Sequence, residues 1–167
     1  MVLKKGSKGT TVKKLQEFLE IGADGSVYIA ISTDGDPFLR KYTANGQLLW
    51  NKPFDYNQLN EYVKSIEISS NGSIYMTGYI QEPDSTSWGL ISSGDYNGYI
   101  TKFSSSGVAI WTKLIRSSEY DFSSDLAISS DGNLYITGQT KGNLDGEVNQ
   151  GNYDVFISKY STDGVRE

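Results

Sequence analysis

Leu126-Ala127-Ile128-Ser129-Ser130-Asp131-Gly132-Asn133-Leu134-Tyr135-Ile136 decides the fold. An apolar-x-apolar run meets an Asp-Gly reversal, and a second run carrying tyrosine follows. Asp-Gly or Asn-Gly between alternating runs predicts a hairpin, because both residues tolerate the positive φ that tight reversals require. The pattern occurs twice more. It reads Ile66-Glu67-Ile68-Ser69-Ser70-Asn71-Gly72-Ser73-Ile74-Tyr75-Met76 and Leu19-Glu20-Ile21-Gly22-Ala23-Asp24-Gly25-Ser26-Val27-Tyr28-Ile29. The hairpin glycines stand at 25, 72 and 132, so the copies are 47 and 60 residues apart. The extra residues fall in loops, mainly residues 81–95.

A second block follows in each copy: Asp36-Pro37-Phe38-Leu39-Arg40-Lys41-Tyr42, then Asn97-Gly98-Tyr99-Ile100-Thr101-Lys102-Phe103, then Asp154-Val155-Phe156-Ile157-Ser158-Lys159-Tyr160. Aromatic residues recur at the period of two that places them on one face of a strand. Each block is followed by a glycine (Gly46, Gly107, Gly164), and Trp50 and Trp111 come four residues after the first two. Four short strands per unit of this length is the pattern of a β-propeller blade. Ile74, Tyr75 and Met76 make a middle strand apolar on both sides, as stacked blades require and a plain sandwich does not. The reading is all-β, with three four-stranded repeats at about 19–55, 63–116 and 124–167, the last incomplete.

These residues resemble the bacterial SBBP β-propeller repeats over about 19–167. The match is clearest along Ser130-Asp131-Gly132-Asn133-Leu134-Tyr135-Ile136-Thr137-Gly138, Gly142-Asn143-Leu144-Asp145-Gly146 and the block from Asp154 to Tyr160. The resemblance implies a propeller found mostly in secreted or surface proteins of bacteria, commonly as an accessory region without assigned catalysis. An extracellular or cell-surface location is expected on that basis. The first copy departs from the pattern, with Ile31 where Gly78 and Gly138 stand.

Three blades are fewer than a closed ring uses. The tryptophan strand expected after Gly164 would start one residue beyond Glu167. The chain therefore reads either as part of a longer propeller or as a protomer that completes one by self-association, most simply as a symmetric pair.

Residues 1–20 read differently. Val12, Leu15, Phe18 and Leu19 fall at helical spacing behind Thr10 or Thr11 as N-cap, which predicts a short helix over 12–19. An alternative makes the end of this segment the first strand, since Leu19-Glu20-Ile21 aligns with Ile66-Glu67-Ile68. The stretch about 3–25 resembles the opening of a peptidoglycan-binding-like domain, whose first helix carries Gly-x-x-Gly-x-x-Val-x-x-Leu-Gln. That resemblance implies cell-wall association, although the family's later helices have no counterpart here.

Composition removes several functions. Cysteine and histidine are both absent among 167 residues, which excludes His- or Cys-dependent triads and leaves a zinc site without its usual ligands. The net charge of -5, without a basic cluster, argues against nucleic acid. No segment has the length of a membrane span.

Candidate sites are few. Asp145, Glu147, Asn149 and Asp154 supply oxygen atoms of the kind calcium takes, although the more ordinary reading of their loop is a polar, Asx-rich surface turn. No other cofactor is implied. Trp88, with Tyr96 close behind, could stack on a sugar or a protein partner. Carboxylate pairs such as Asp34/Asp36 and Glu82/Asp84 are the only material for a hydrolase or lyase, which needs a defined separation in space. The expectation is a non-catalytic module for protein or glycan interaction.

Overall fold

The computed structural model describes residues 16–33, 36–82 and 96–167. Among the described residues, eleven strands form three antiparallel sheets. Blade 1 contains β1 (Gln16–Ile21), β2 (Val27–Thr33), β3 (Asp36–Tyr42) and β4 (Leu48–Pro53). Blade 2 contains β5 (Asn60–Ile68), β6 (Ile74–Gln81), β7 (Tyr96–Phe103) and β8 (Ala109–Ile115). Blade 3 contains β9 (Asp121–Ile128), β10 (Leu134–Thr140) and β11 (Asp154–Tyr160). At its outer side a single bridge joins Tyr160 to Arg166, the position where Tyr42↔Leu48 and Phe103↔Ala109 begin the fourth strands of the other sheets.

The strands run in sequence order across each sheet, and the first strand of blade 2, β5, contacts the first strands of both neighbours, β1 and β9. Those strands are therefore innermost, as in a propeller. The hairpins close as their sequence requires. In blade 3 the Gly132 amide donates to the Ser129 carbonyl at 2.9 Å, and Gly132 sits at φ +87°. The Asp131 carboxylate accepts from the Asn133 amide, and Asn71 and Asp24 do the same for Ser73 and Ser26.

Two aromatic-rich cores hold the sheets together. Tyr28, Ala30 and Leu39 of blade 1 pack on Val63, Ile66, Ile74 and Met76 of blade 2. Tyr75 and Ile100 on the other face of blade 2 pack on Leu126, Leu134 and Ile136 of blade 3. Blade 2 is thus buried on both sides, which explains its unbroken apolar middle strand. Each joint ends in an indole. Trp50 lies against the turn glycine Gly107 and Trp111 against Gly164, and a Cβ on either glycine would sit only 3.0 to 3.1 Å from the ring.

The helix expected over residues 12–19 is not found where the chain is described. Gln16–Ile21 is strand β1, paired in register from Gln16↔Ser32 to Ile21↔Val27. Residues 1–15, including Val12, Leu15 and the N-cap candidates, lie outside the described residues. The physical reason is the pairing partner. β2 offers a complete hydrogen-bond edge, and period-two alternation sends Phe18 into the core while Leu19 and Ile21 face the other way. The wall-binding resemblance, which rested on that helix, loses its support.

The departure at Ile31 also has a structural cause. Opposite Gly78 and Gly138 the innermost strand carries a β-bulge, at Val63/Ser65 and at Ser123/Asp125. The bulge presses a carbonyl of the partner strand onto the glycine. β1 has no register shift against β2, so blade 1 accommodates isoleucine there.

Candidate functional site

Six aromatic rings gather at one end of the seam between blades 2 and 3. Tyr62 of β5 pairs across the sheet with Tyr79 of β6, and their rings stack at 4.9 Å. Tyr79 meets Phe122 of β9 edge-on at 5.0 Å and Tyr96 of β7 edge-on at 5.4 Å. Tyr96 also contacts Phe122 at 5.3 Å and Tyr120 at 6.0 Å. Tyr153, before β11, closes the group against Phe122 at 6.4 Å. Tyr153 is exposed, and the other rings are half-buried, so several edges and faces reach solvent. Lys64 sits 5.3 Å above the Tyr79 ring and Lys141 5.3 Å above Tyr120. Burial, and then the neighbouring Tyr62 and Tyr96 hydroxyls, push the Tyr79 phenol above its ordinary value.

The array is partly outside the repeat. Tyr79 stands where Ser32 and Gln139 stand in the other blades. A residue needed only for stacking blades would recur, as Tyr28 and Tyr75 do. Of the aromatic candidates read from sequence, Tyr96 lies in the middle of this array, and Trp88 lies outside the described residues. Sequence pattern alone does not single out Tyr62, Tyr120, Phe122 or Tyr153, and the break in the repeat at Tyr79 is the signal that points to the array.

Asp145, Glu147, Asn149 and Asp154 line a single cleft of about 430 Å³, together with Arg166 and Val155. Asp145, Asn149 and Asp154 each have a side-chain oxygen engaged within the loop or by Arg166, while Glu147 is exposed. The Asp145 carboxylate pairs with the Arg166 guanidinium. Asp154 accepts from the Gln150 amide at 2.7 Å, and Asn149 accepts from the Gly151 amide at 2.9 Å. Among the described residues, no group of three or more acidic side chains is placed to hold a metal ion.

Near the axis, Glu67 lies among like charges. Burial first, then repulsion from Glu20 and Asp125, raises its carboxyl pKa. Two further carboxylates are structural caps. Glu61 accepts from the Tyr56 amide, and the fully buried Asp121 accepts from the Ser117 amide, each closing the loop that enters its blade. Asp34 and Asp84 of the other carboxylate pairs lie outside the described residues.

Among the described residues, no helix is long and apolar enough to cross a membrane.

Sheet order, stacked cores and the repeated joint define an all-β protein of propeller blades. Residues 110–145 match the family described as SBBP, beta-propeller repeat. Across 168 aligned residues the chain is 28% identical to Regulatory protein FlaEY of Caulobacter vibrioides, covering 86% of this chain and 18% of that protein. The chain thus spans about a fifth of that relative's length. Among solved structures, a protein of unknown function from Bacteroides caccae aligns over 93% of this chain and 45% of its own, at 10% identity and a TM-score of 0.50. That likeness concerns the fold. The Synechocystis apocarotenoid oxygenase aligns over 90% of this chain and 37% of its own, at 14% identity and a TM-score of 0.47, and no argument rests on it.

Proposed function

We propose that this chain is a non-catalytic β-propeller repeat module that binds a protein or glycan partner through the aromatic array between blades 2 and 3. The carrying observation is Tyr79, which breaks the repeat yet joins Tyr62, Tyr96 and Phe122 in one ring cluster. Partly exposed aromatic faces flanked by lysines offer apolar stacking with a polar rim, the chemistry by which sugars and protein loops are held. The family match and the regulatory relative support a module rather than a reaction centre. An extracellular or cell-surface setting belongs to the same reading and is supported by the resemblance to the bacterial repeats.

Isothermal titration with soluble tetrasaccharides of β-linked glucose and N-acetylglucosamine tests the glycan arm. Binding that weakens about tenfold or more in Tyr79→Ala, with thermal unfolding unchanged, supports it. A photocrosslinking residue at position 153 tests the protein arm in cells. Silence in both experiments ends the proposal.

A further inference from the structure

Each joint in this molecule is directional. The leading face of a blade carries the second-strand tyrosine and a third-strand aliphatic: Tyr28 and Leu39 in blade 1, Tyr75 and Ile100 in blade 2. The trailing face of the next blade receives them with Ile66, Ile74 and Met76, or with Leu126, Leu134 and Ile136. The register repeats without change, as Ala30↔Leu39, Thr77↔Ile100 and Thr137↔Ile157 show.

Among the described residues, nothing covers the equivalent positions at the two ends of the stack. On the leading face of blade 3, Ile157 is 71% exposed, whereas its counterparts Leu39 and Ile100 are fully buried. Tyr135 and Val155 are exposed beside it. On the trailing face of blade 1, Leu19 is 54% exposed, whereas Ile66 and Leu126 in the same position are 2% and 3% exposed. Leu19, Val27, Ile29, Tyr42 and Gly46 there border an apolar cleft of about 550 Å³. Large apolar patches of this kind mark interaction surfaces.

We propose that these two surfaces bind each other between copies of the chain, the leading face of blade 3 docking head to tail on the trailing face of blade 1. The argument is that the molecule already makes this joint twice. The occupant is a second copy because the leading face of blade 3 presents the same residue types, in the same register, that blades 1 and 2 insert into such a trailing face. This proposal is independent of the aromatic array.

Sedimentation velocity over a concentration series tests it with three proteins: wild type, Leu19→Lys and Ile157→Lys. Both substitutions fall at exposed positions, and thermal unfolding verifies that the fold is kept. Wild type is expected to associate, and either variant alone to lose association at least about tenfold, because a lysine charge enters an apolar joint. Mixing the two variants restores a one-to-one pair, since each retains the face that the other lacks. A wild type that stays monomeric throughout overturns the proposal. So does a variant that still associates alone, or a mixture that does not pair.

Discussion

Gly78→Ala probes the close crossing of β5 over β6. A Cβ on Gly78 would lie 1.8 Å from the Tyr62 carbonyl oxygen, 2.9 Å from its carbonyl carbon and 3.1 Å from Val63 Cα. All three are backbone atoms of the bulged strand, so no side-chain rotation relieves the clash. Gly78 is not among the positive-φ glycines, and the effect is therefore steric rather than conformational. β5 must retreat, which strains the packing of the buried Val63 at about 1–3 kcal/mol and weakens one or two ladder hydrogen bonds at about 1 kcal/mol each. The expected loss is about 2–5 kcal/mol, or about 4–20 °C in Tm for a chain of this size. Gly132→Ala is the control. It sits at φ +87° with its nearest neighbour, Thr162 Cγ2, at 3.8 Å, so left-handed strain alone costs about 1–2 kcal/mol. Equilibrium urea unfolding measures both. The bulge argument fails if Gly78→Ala unfolds within about 0.5 kcal/mol of wild type, the range of an ordinary surface change, or if it loses less than Gly132→Ala.

Trp111→Ala removes the ring that spans Tyr75, 6.2 Å away, and Gly164, and should lower stability by about 2–4 kcal/mol in the same unfolding assay. Trp111→Phe should recover at least half of that loss, and a Trp111→Ala protein within about 0.5 kcal/mol of wild type would deny the indole its bridging role. Because the Glu67 carboxyl pKa is raised in the folded state, its contribution is present at low pH and lost as pH rises through the raised value. Glu67→Gln should thus be more stable than wild type near neutral pH, with the gap narrowing on acidification, and a widening gap would contradict the crowding of Glu20, Glu67 and Asp125. Burial pushes the Tyr160 phenol from 10.0 to about 12. The folded state holds that proton more tightly than the unfolded chain, so the associated stability is complete below about pH 10 and disappears as pH climbs through about 12. Ultraviolet titration should show Tyr160, with the fully buried Tyr99 behind it, ionising after the exposed tyrosines. A single ordinary step for all 12 tyrosines in folded protein would refute this.

The blades were legible because their signals are local. Asx-Gly reversals and period-two aromatics need only neighbouring residues, and three copies repeat them. The segment before Ile21 was harder to read, since Phe18 and Leu19 satisfy helical spacing and strand alternation alike, and only the edge offered by β2 decides between them. The glycine at 78 and 138, against Ile31, was visible as a departure, but its cause lies in a bulge on another strand. The aromatic array was mostly hidden. Its residues stand at 62, 79, 96, 120, 122 and 153, and sheet register alone brings them together. In the loop from Asn143 to Asp154 the oxygen-rich composition could be read, whereas the guanidinium on Asp145 and the amide on Asp154 could not.

The indole joints give the molecule a polarity of loosening. β4 is pinned by a turn that belongs to blade 2, and β8 by a turn that belongs to blade 3. Melting blade 3 therefore unfastens the rim of blade 2, while melting blade 1 leaves the Trp111 pin in place. Among these three blades, loss of the Trp111 pin therefore passes from blade 3 back to blade 2 and not from blade 1 forward to it.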